Sequence, residues 1–166
     1  MADPAPPPRL REPAHRVDPR ARQMWRLGAA AEGAFTLLVA VVVMVFWDAL
    51  GLRWWVVALL AAAVVGYAVV VPEWRWRVHR WEVTDTAVYT QTGWWSRERR
   101  IAPMSRIQTV DLAEGPMERA FPLATVTVTT ASAAGALRIA GLDRTDARHL
   151  VDELTRQADA VEGDAT

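Results

Sequence analysis

The sequence contains no cysteine and no lysine, and its charges sum to zero. Without cysteine there is no disulfide framework, no thiolate metal site and no thiol nucleophile. Without lysine, Schiff-base chemistry and the lysine of a phosphate-binding loop are excluded. All 19 basic residues are arginine, matched by 19 acids, so the basic excess of a general nucleic-acid binder is missing and no nucleic-acid partner is expected. The three histidines, His15, His79 and His149, have no metal-ligand spacing, and no HExxH, G-x-S-x-G or dinucleotide fingerprint occurs. No catalytic residue, metal or cofactor is therefore assigned, and an enzyme is not expected.

What the chain has is apolar residues, 52% of its 166, unevenly spread. Residues 1–26 are rich in proline and arginine and predict a disordered cytoplasmic tail. Leu27 to Trp47 is apolar apart from Glu32 and Thr36, and Trp54 to Val71 carries no charge. As helices these runs are roughly 30 and 27 Å long, which matches a bilayer core. Trp25 and Trp47 bracket the first, and Trp54, Trp55, Trp74 and Trp76 the second, as an aromatic belt requires. The short connection Asp48–Arg53 makes them an antiparallel hairpin.

Six arginines precede the first span, one (Arg53) lies in the loop, and Arg75, Arg77 and Arg80 follow the second. The positive-inside rule then puts both termini in the cytoplasm, giving a multi-pass protein of the cell membrane. Ala58, Ala62 and Gly66, with Ala29 and Gly33, have the small-xxx-small spacing that closes a hairpin or mediates homo-oligomerisation, the hairpin being expected. Glu32 is expected to form a boundary ion pair with Arg26 or with an arginine beyond Pro72, rather than to serve a permeation pathway.

After Pro72 the pattern becomes β. Strands are expected at Arg77–Thr84, Ala87–Thr92, Trp95–Ile101, Ile107–Leu112 with a bulge, Leu123–Thr130 and Ala136–Ala140, with Val126, Val128, Leu137 and Ile139 inward and Pro103 ending the third. Asp143 is a good N-cap for a final helix whose stripe is Ala147, Leu150, Val151, Leu154 and Ala158. The fold class is thus α+β: a two-helix transmembrane hairpin (27–47 and 54–71), a domain over 73–160 made of a curved sheet or barrel capped by a C-terminal helix, and a short disordered tail at 161–166.

Pro103-Met104-Ser105-Arg106-Ile107-Gln108-Thr109-Val110 resembles the P-x-x-R-I-Q-x-V signature of the bacterial pleckstrin-homology-like (YdbS-like) membrane proteins. Glu114 to Val126 resembles that family's G-P-L-E-R-x-F-G-L-A-T-V stretch, with Pro122 where the family usually has glycine. The resemblance implies a pleckstrin-homology-like (PH-like) β-barrel with a capping helix at the cytoplasmic membrane face, and no catalytic residues. Proline fixes φ near −65°, so a different turn is expected at Pro122. Arg106, Gln108, Glu118 and Arg119 are expected to hold the irregular connection between strands.

Three functions follow as expectations. The first is a non-catalytic scaffold that engages another membrane or membrane-associated protein through an exposed strand edge. The second is an anionic-headgroup sensor acting through Arg97, Arg99 and Arg100. The third, from another class, is a small transport subunit using Glu32.

Overall fold

A computed structural model describes residues 12–46, 54–131 and 135–163. Residues 1–11, Trp47, the Asp48–Arg53 connection, residues 132–134 and residues 164–166 lie outside them. The elements are β1 (His15–Arg16), α1 (Pro19–Phe46), α2 (Trp54–Val78), β2 (Arg80–Val83), β3 (Ala87–Thr92), β4 (Glu98–Pro103), β5 (Ile107–Ala113), α3 (Pro116–Ala120), β6 (Leu123–Thr130), β7 (Leu137–Asp143) and α4 (Arg144–Gly163), with a 3₁₀ turn at Met104–Arg106.

The expected tail is structured well before Leu27. Asp18 caps α1, its Oδ1 accepting the Arg20 N–H at 2.7 Å, and Pro19 takes the first helical position, where its missing N–H costs nothing. Ahead of that cap, β1 pairs antiparallel with β2, His15 opposite Trp81. Two antiparallel sheets result, β1-β2-β3-β4 and β5-β6-β7. The helical hairpin is therefore inserted between the first and second strands of the four-stranded sheet.

Helix α2 does not end at Val71 as expected but continues past Pro72 to Val78. Pro72 removes one N–H from the helix, but the final turn carries Arg75 and Arg77, whose charges suit a helix C-terminus. The first expected strand accordingly begins at Arg80 rather than Arg77. The third shifts to Glu98–Pro103, because Gly93 to Ser96 form a tight turn; Pro103 still pairs with Ala87 as its last residue. The bulge in β5 falls between Ile107 and Thr109. Residues 161–163, expected in the tail, extend α4.

Val88, Met104, Val126, Val128, Leu137, Ile139 and Leu142 form the core with Ala147, Leu150 and Leu154 of α4, the expected stripe. Asp143 caps α4 by accepting the Thr145 N–H at 2.8 Å, and that bond is the main cause of its lowered pKa.

The hairpin closes at Gly33, where an added Cβ would collide with Val64. Ala58, Ala62 and Gly66 instead face outward, which corrects the expectation for that stripe. The two helices are long and apolar enough to cross a membrane, and only 6% and 0% of their most apolar stretches are buried. A core helix of a soluble protein would be covered; here Phe35, Leu38, Val45, Leu59 and Val70 are all open.

At the β6 entrance, Pro122 has φ +26°, so the turn keeps a left-handed backbone that proline resists, contrary to expectation. Its surroundings impose the turn: the Pro122 carbonyl accepts the Arg144 N–H at 3.1 Å, and Leu123 is fully buried. Replacing Pro122 with glycine is expected to stabilise the domain by about 1 kcal/mol, the relieved strain exceeding the unfolded-state entropy that glycine adds. A thermal unfolding midpoint in detergent that fell on this change would contradict it.

Candidate functional site

The chemistry-bearing side chains collect where the helical hairpin meets the sheets. Glu73, near the end of α2, receives three arginines: Arg22 at 3.1 Å, Arg26 at 3.2 Å and Arg77 at 3.3 Å. Two come from α1 and one from α2, so a single carboxylate fastens the two helices together. Its side chain is only 24% exposed, which raises the value of these pairs above that of a surface ion pair.

A second junction is made by Val17, just before α1, and the first turns of α1. Val17, Ala21 and Met24 are buried with Leu123, and Trp25, Trp76, Trp81 and Phe121 pack around them. The Trp76 indole N–H donates to the Val17 carbonyl at 3.1 Å, and the Asp18 N–H donates to the Gly141 carbonyl at 2.9 Å. Arg20 reaches Asp143 at 3.0 Å, joining the start of α1 to the cap of α4. Trp25 and Trp76 thus belong to this junction instead of facing lipid freely, while Trp54, Trp55 and Trp74 remain exposed.

The three arginines singled out in the sequence do not converge. Arg97 and Arg99 lie at 3.8 and 4.0 Å from Glu12, which Arg80 also approaches at 3.8 Å. Arg99 also donates to Gln91 at 2.8 Å, and Gln91 donates to the Val78 carbonyl at 3.0 Å. Arg100 pairs with Glu98 at 2.6 Å and donates to the Ala136 carbonyl at 3.1 Å, across to the start of β7. Strand alternation separates Arg100 from the other two.

Glu32 does not form the expected boundary ion pair: Arg26 is taken by Glu73, and the Glu32 carboxylate has no ion-pair partner among the described residues. It lines a cavity of about 390 Å³ between the hairpin and α3, with Trp25, Tyr67, Arg75, Pro116 and Met117 among the other walls. The Arg75 guanidinium lies 4.2 Å from the Trp25 ring centroid. The opposite wall is fixed by Glu118, which accepts the Gly115 N–H at 2.8 Å and the Thr125 hydroxyl at 2.6 Å, giving it the structural role expected from sequence.

A family model described as a bacterial PH domain matches residues 27–158. The chain belongs to that family. It is also 30% identical over 157 residues to the UPF0699 transmembrane protein YdbS of Bacillus subtilis (strain 168), covering 92% of this chain and 98% of the relative. No solved structure matches it. With a transmembrane relative and two uncovered apolar helices, this member of the bacterial PH family is a membrane protein carrying a PH-like domain.

Sequence reasoning missed the residues that organise the junction, Glu12, Glu73 and Arg75. Ion pairs between distant segments leave no local pattern. A capping residue followed by proline marks a helix start, so Asp18-Pro19 is a signal that could have placed the start of α1 ahead of Leu27.

Proposed function

We propose that this protein is a non-catalytic scaffold that presents its PH-like domain in a fixed orientation at the cytoplasmic membrane face, where the domain engages another membrane or membrane-associated protein. The observation that carries this reading is the junction. The buried Val17–Ala21–Met24 seam locks the domain to its own helices, which the three-arginine clasp on Glu73 fastens to each other. A domain held this way needs no headgroup to find the membrane, and its strand-face arginines are occupied by Glu12, Gln91 and Glu98.

The surface best placed for a partner is the outer edge of β5, which among the described residues pairs only with β6 and exposes Gln108, Thr109, Asp111 and Leu112. Strand addition or side-chain docking there follows from unpaired edge groups. The arginine count, six before the first span and one in the loop, supports a cytoplasmic position for both termini. Reporter fusions at each end of the chain and in the loop test this, and an external C-terminus would overturn it.

The partner is tested with a photo-cross-linking residue at Gln108 or Asp111 in the full chain in native membranes. A discrete protein adduct is expected at these sites and should survive changing Arg97, Arg99 and Arg100 together to glutamine. Loss of all protein adducts, with anionic lipid retained only by the unsubstituted chain, would favour headgroup sensing. Replacing Glu32 with glutamine should leave the adducts unchanged; a transport role would instead make Glu32 indispensable.

A further inference from the structure

We infer that the tip of the β3–β4 hairpin, Gly93 to Ser96, is embedded in the bilayer, its two tryptophans entering the leaflet beside α2. The PH-like domain would then grip the membrane directly as well as through its helices.

Trp94 and Trp95 are 46% and 88% exposed, an adjacent pair of large apolar rings at a hairpin tip. A soluble surface rarely carries such a pair without an occupant. The position of the tip identifies that occupant. The Trp94 ring packs edge-on against Tyr67, with centroids 6.1 Å apart, and Trp95 continues the row at 6.0 Å.

Tyr67 belongs to the membrane helix. From Trp54 to Trp74 is roughly 30 Å along α2, the thickness of a hydrocarbon core, so Trp74 marks the boundary on the domain side. Tyr67 lies seven residues before Trp74, roughly 10 Å inside that boundary. Helical side chains lean toward the N-terminus of their helix, here toward the far side of the bilayer, so the Tyr67 ring does not climb back to the surface. A ring in contact with it is on the lipid side of the boundary.

The local chain is built to hold this position. The Gln91 side chain ties the base of the hairpin to the Val78 carbonyl at the end of α2. Gly93 has φ +120°, and a Cβ there would collide with the Ser96 carbonyl, so the tip is a closed turn that only glycine permits. Arg97 follows immediately and lines a small pocket with Trp74 and Arg77 at the boundary. Apolar rings inward and arginine at headgroup level is the pattern of an interfacial anchor. A protein occupant would have to lie within the membrane to reach Tyr67.

The absence of cysteine makes the test clean. The full chain with Trp95→Cys, and separately with Ser96→Cys to keep both tryptophans, carries a nitroxide label in phosphatidylcholine–phosphatidylglycerol vesicles. Oxygen should relax either label more strongly than an aqueous nickel chelate does, as at a Phe35→Cys control in α1 and unlike a Thr155→Cys control on α4. Chelate access at both tip sites equal to that at Thr155 would overturn the inference. Exposure in vesicles combined with protection in native membranes would also overturn it, in favour of a protein partner. Independently, replacing Trp94 and Trp95 together with alanine should raise tryptic cleavage at Arg97 in vesicles severalfold; unchanged cleavage counts against an anchor.

Discussion

Replacing Gly141 with alanine is expected to detach the start of α1 from the β-domain. Gly141 lies in β7 with φ +79°, where an L side chain is strained, and an added Cβ would stand 2.7 Å from the Ala21 Cβ, with Val17 and Trp25 close behind. Its carbonyl also accepts the Asp18 N–H that seats the helix cap. Backbone strain and overpacking together predict a loss of about 2 to 5 kcal/mol, the two contributions being of similar size. Because the collision is with one methyl group, adding Ala21→Gly should recover part of the loss and leave the strain. Limited trypsinolysis in detergent is the direct measurement. Cleavage after Arg16, Arg20 and Arg22 should rise sharply in Gly141→Ala and fall back partway in the double variant. A single variant as resistant as the parent would show that the seam is not what holds the domain.

That seam also marks the limit of what the sequence disclosed. Periodicity located the apolar helices and the later strands because each signal is local: alternation in Leu123–Thr130, and the 3.6-residue stripe from Ala147 to Leu154. The bulge after Ile107 was legible for the same reason, since its apolar residues change parity there. The ends of elements were less legible. Pro72 reads as a terminator, yet α2 runs on to Val78, because a proline late in a helix sacrifices one hydrogen bond while packing against α1 and the sheets retains the rest.

For the stretch before Leu27, composition is a poor guide. Proline and arginine suggest an unfolded chain, but only three of its residues, Val17, Ala21 and Met24, are needed to fill the gap beside Leu123. Such a sparse apolar pattern becomes a core only once a distant surface exists to receive it. At the candidate site the same distinction holds. The arginines on β4 were visible as a cluster, whereas the pairing of Arg97 and Arg99 with Glu12 joins distant segments and leaves no local pattern. The same holds for the Trp94–Tyr67 contact, which joins a turn to the middle of a helix.

A pH dependence centred on His79 is the other large effect expected. His79 follows α2 directly and is 6% exposed. Its Nδ1 lies 2.8 Å from the Arg75 carbonyl, which can only accept, so Nδ1 carries the proton and Nε2 is bare. Burial lowers its pKa to about 4, with the nearby Arg75 guanidinium acting in the same direction. The Trp25 ring lies tilted against the imidazole, centroids 5.0 Å apart, but that ring already carries Arg75 at 4.2 Å and offers little to a second cation. The folded protein therefore holds His79 neutral where the unfolded chain, with a pKa near 6.5, takes up a proton. The contribution of His79 to stability should be full above about pH 6.5, decline as the pH falls towards 4 and be exhausted below, a loss of up to about 3 kcal/mol. Asp143, whose pKa is lowered below the ordinary carboxylate value, gives up its contribution only at still lower pH and does not confuse this window. Replacing His79 with asparagine keeps a donor close to the Nδ1 position and removes the titration, so that variant should lack the decline between pH 6.5 and 4. Unfolding midpoints followed by tryptophan fluorescence across that range decide the matter: an equal decline in both proteins would place its origin elsewhere.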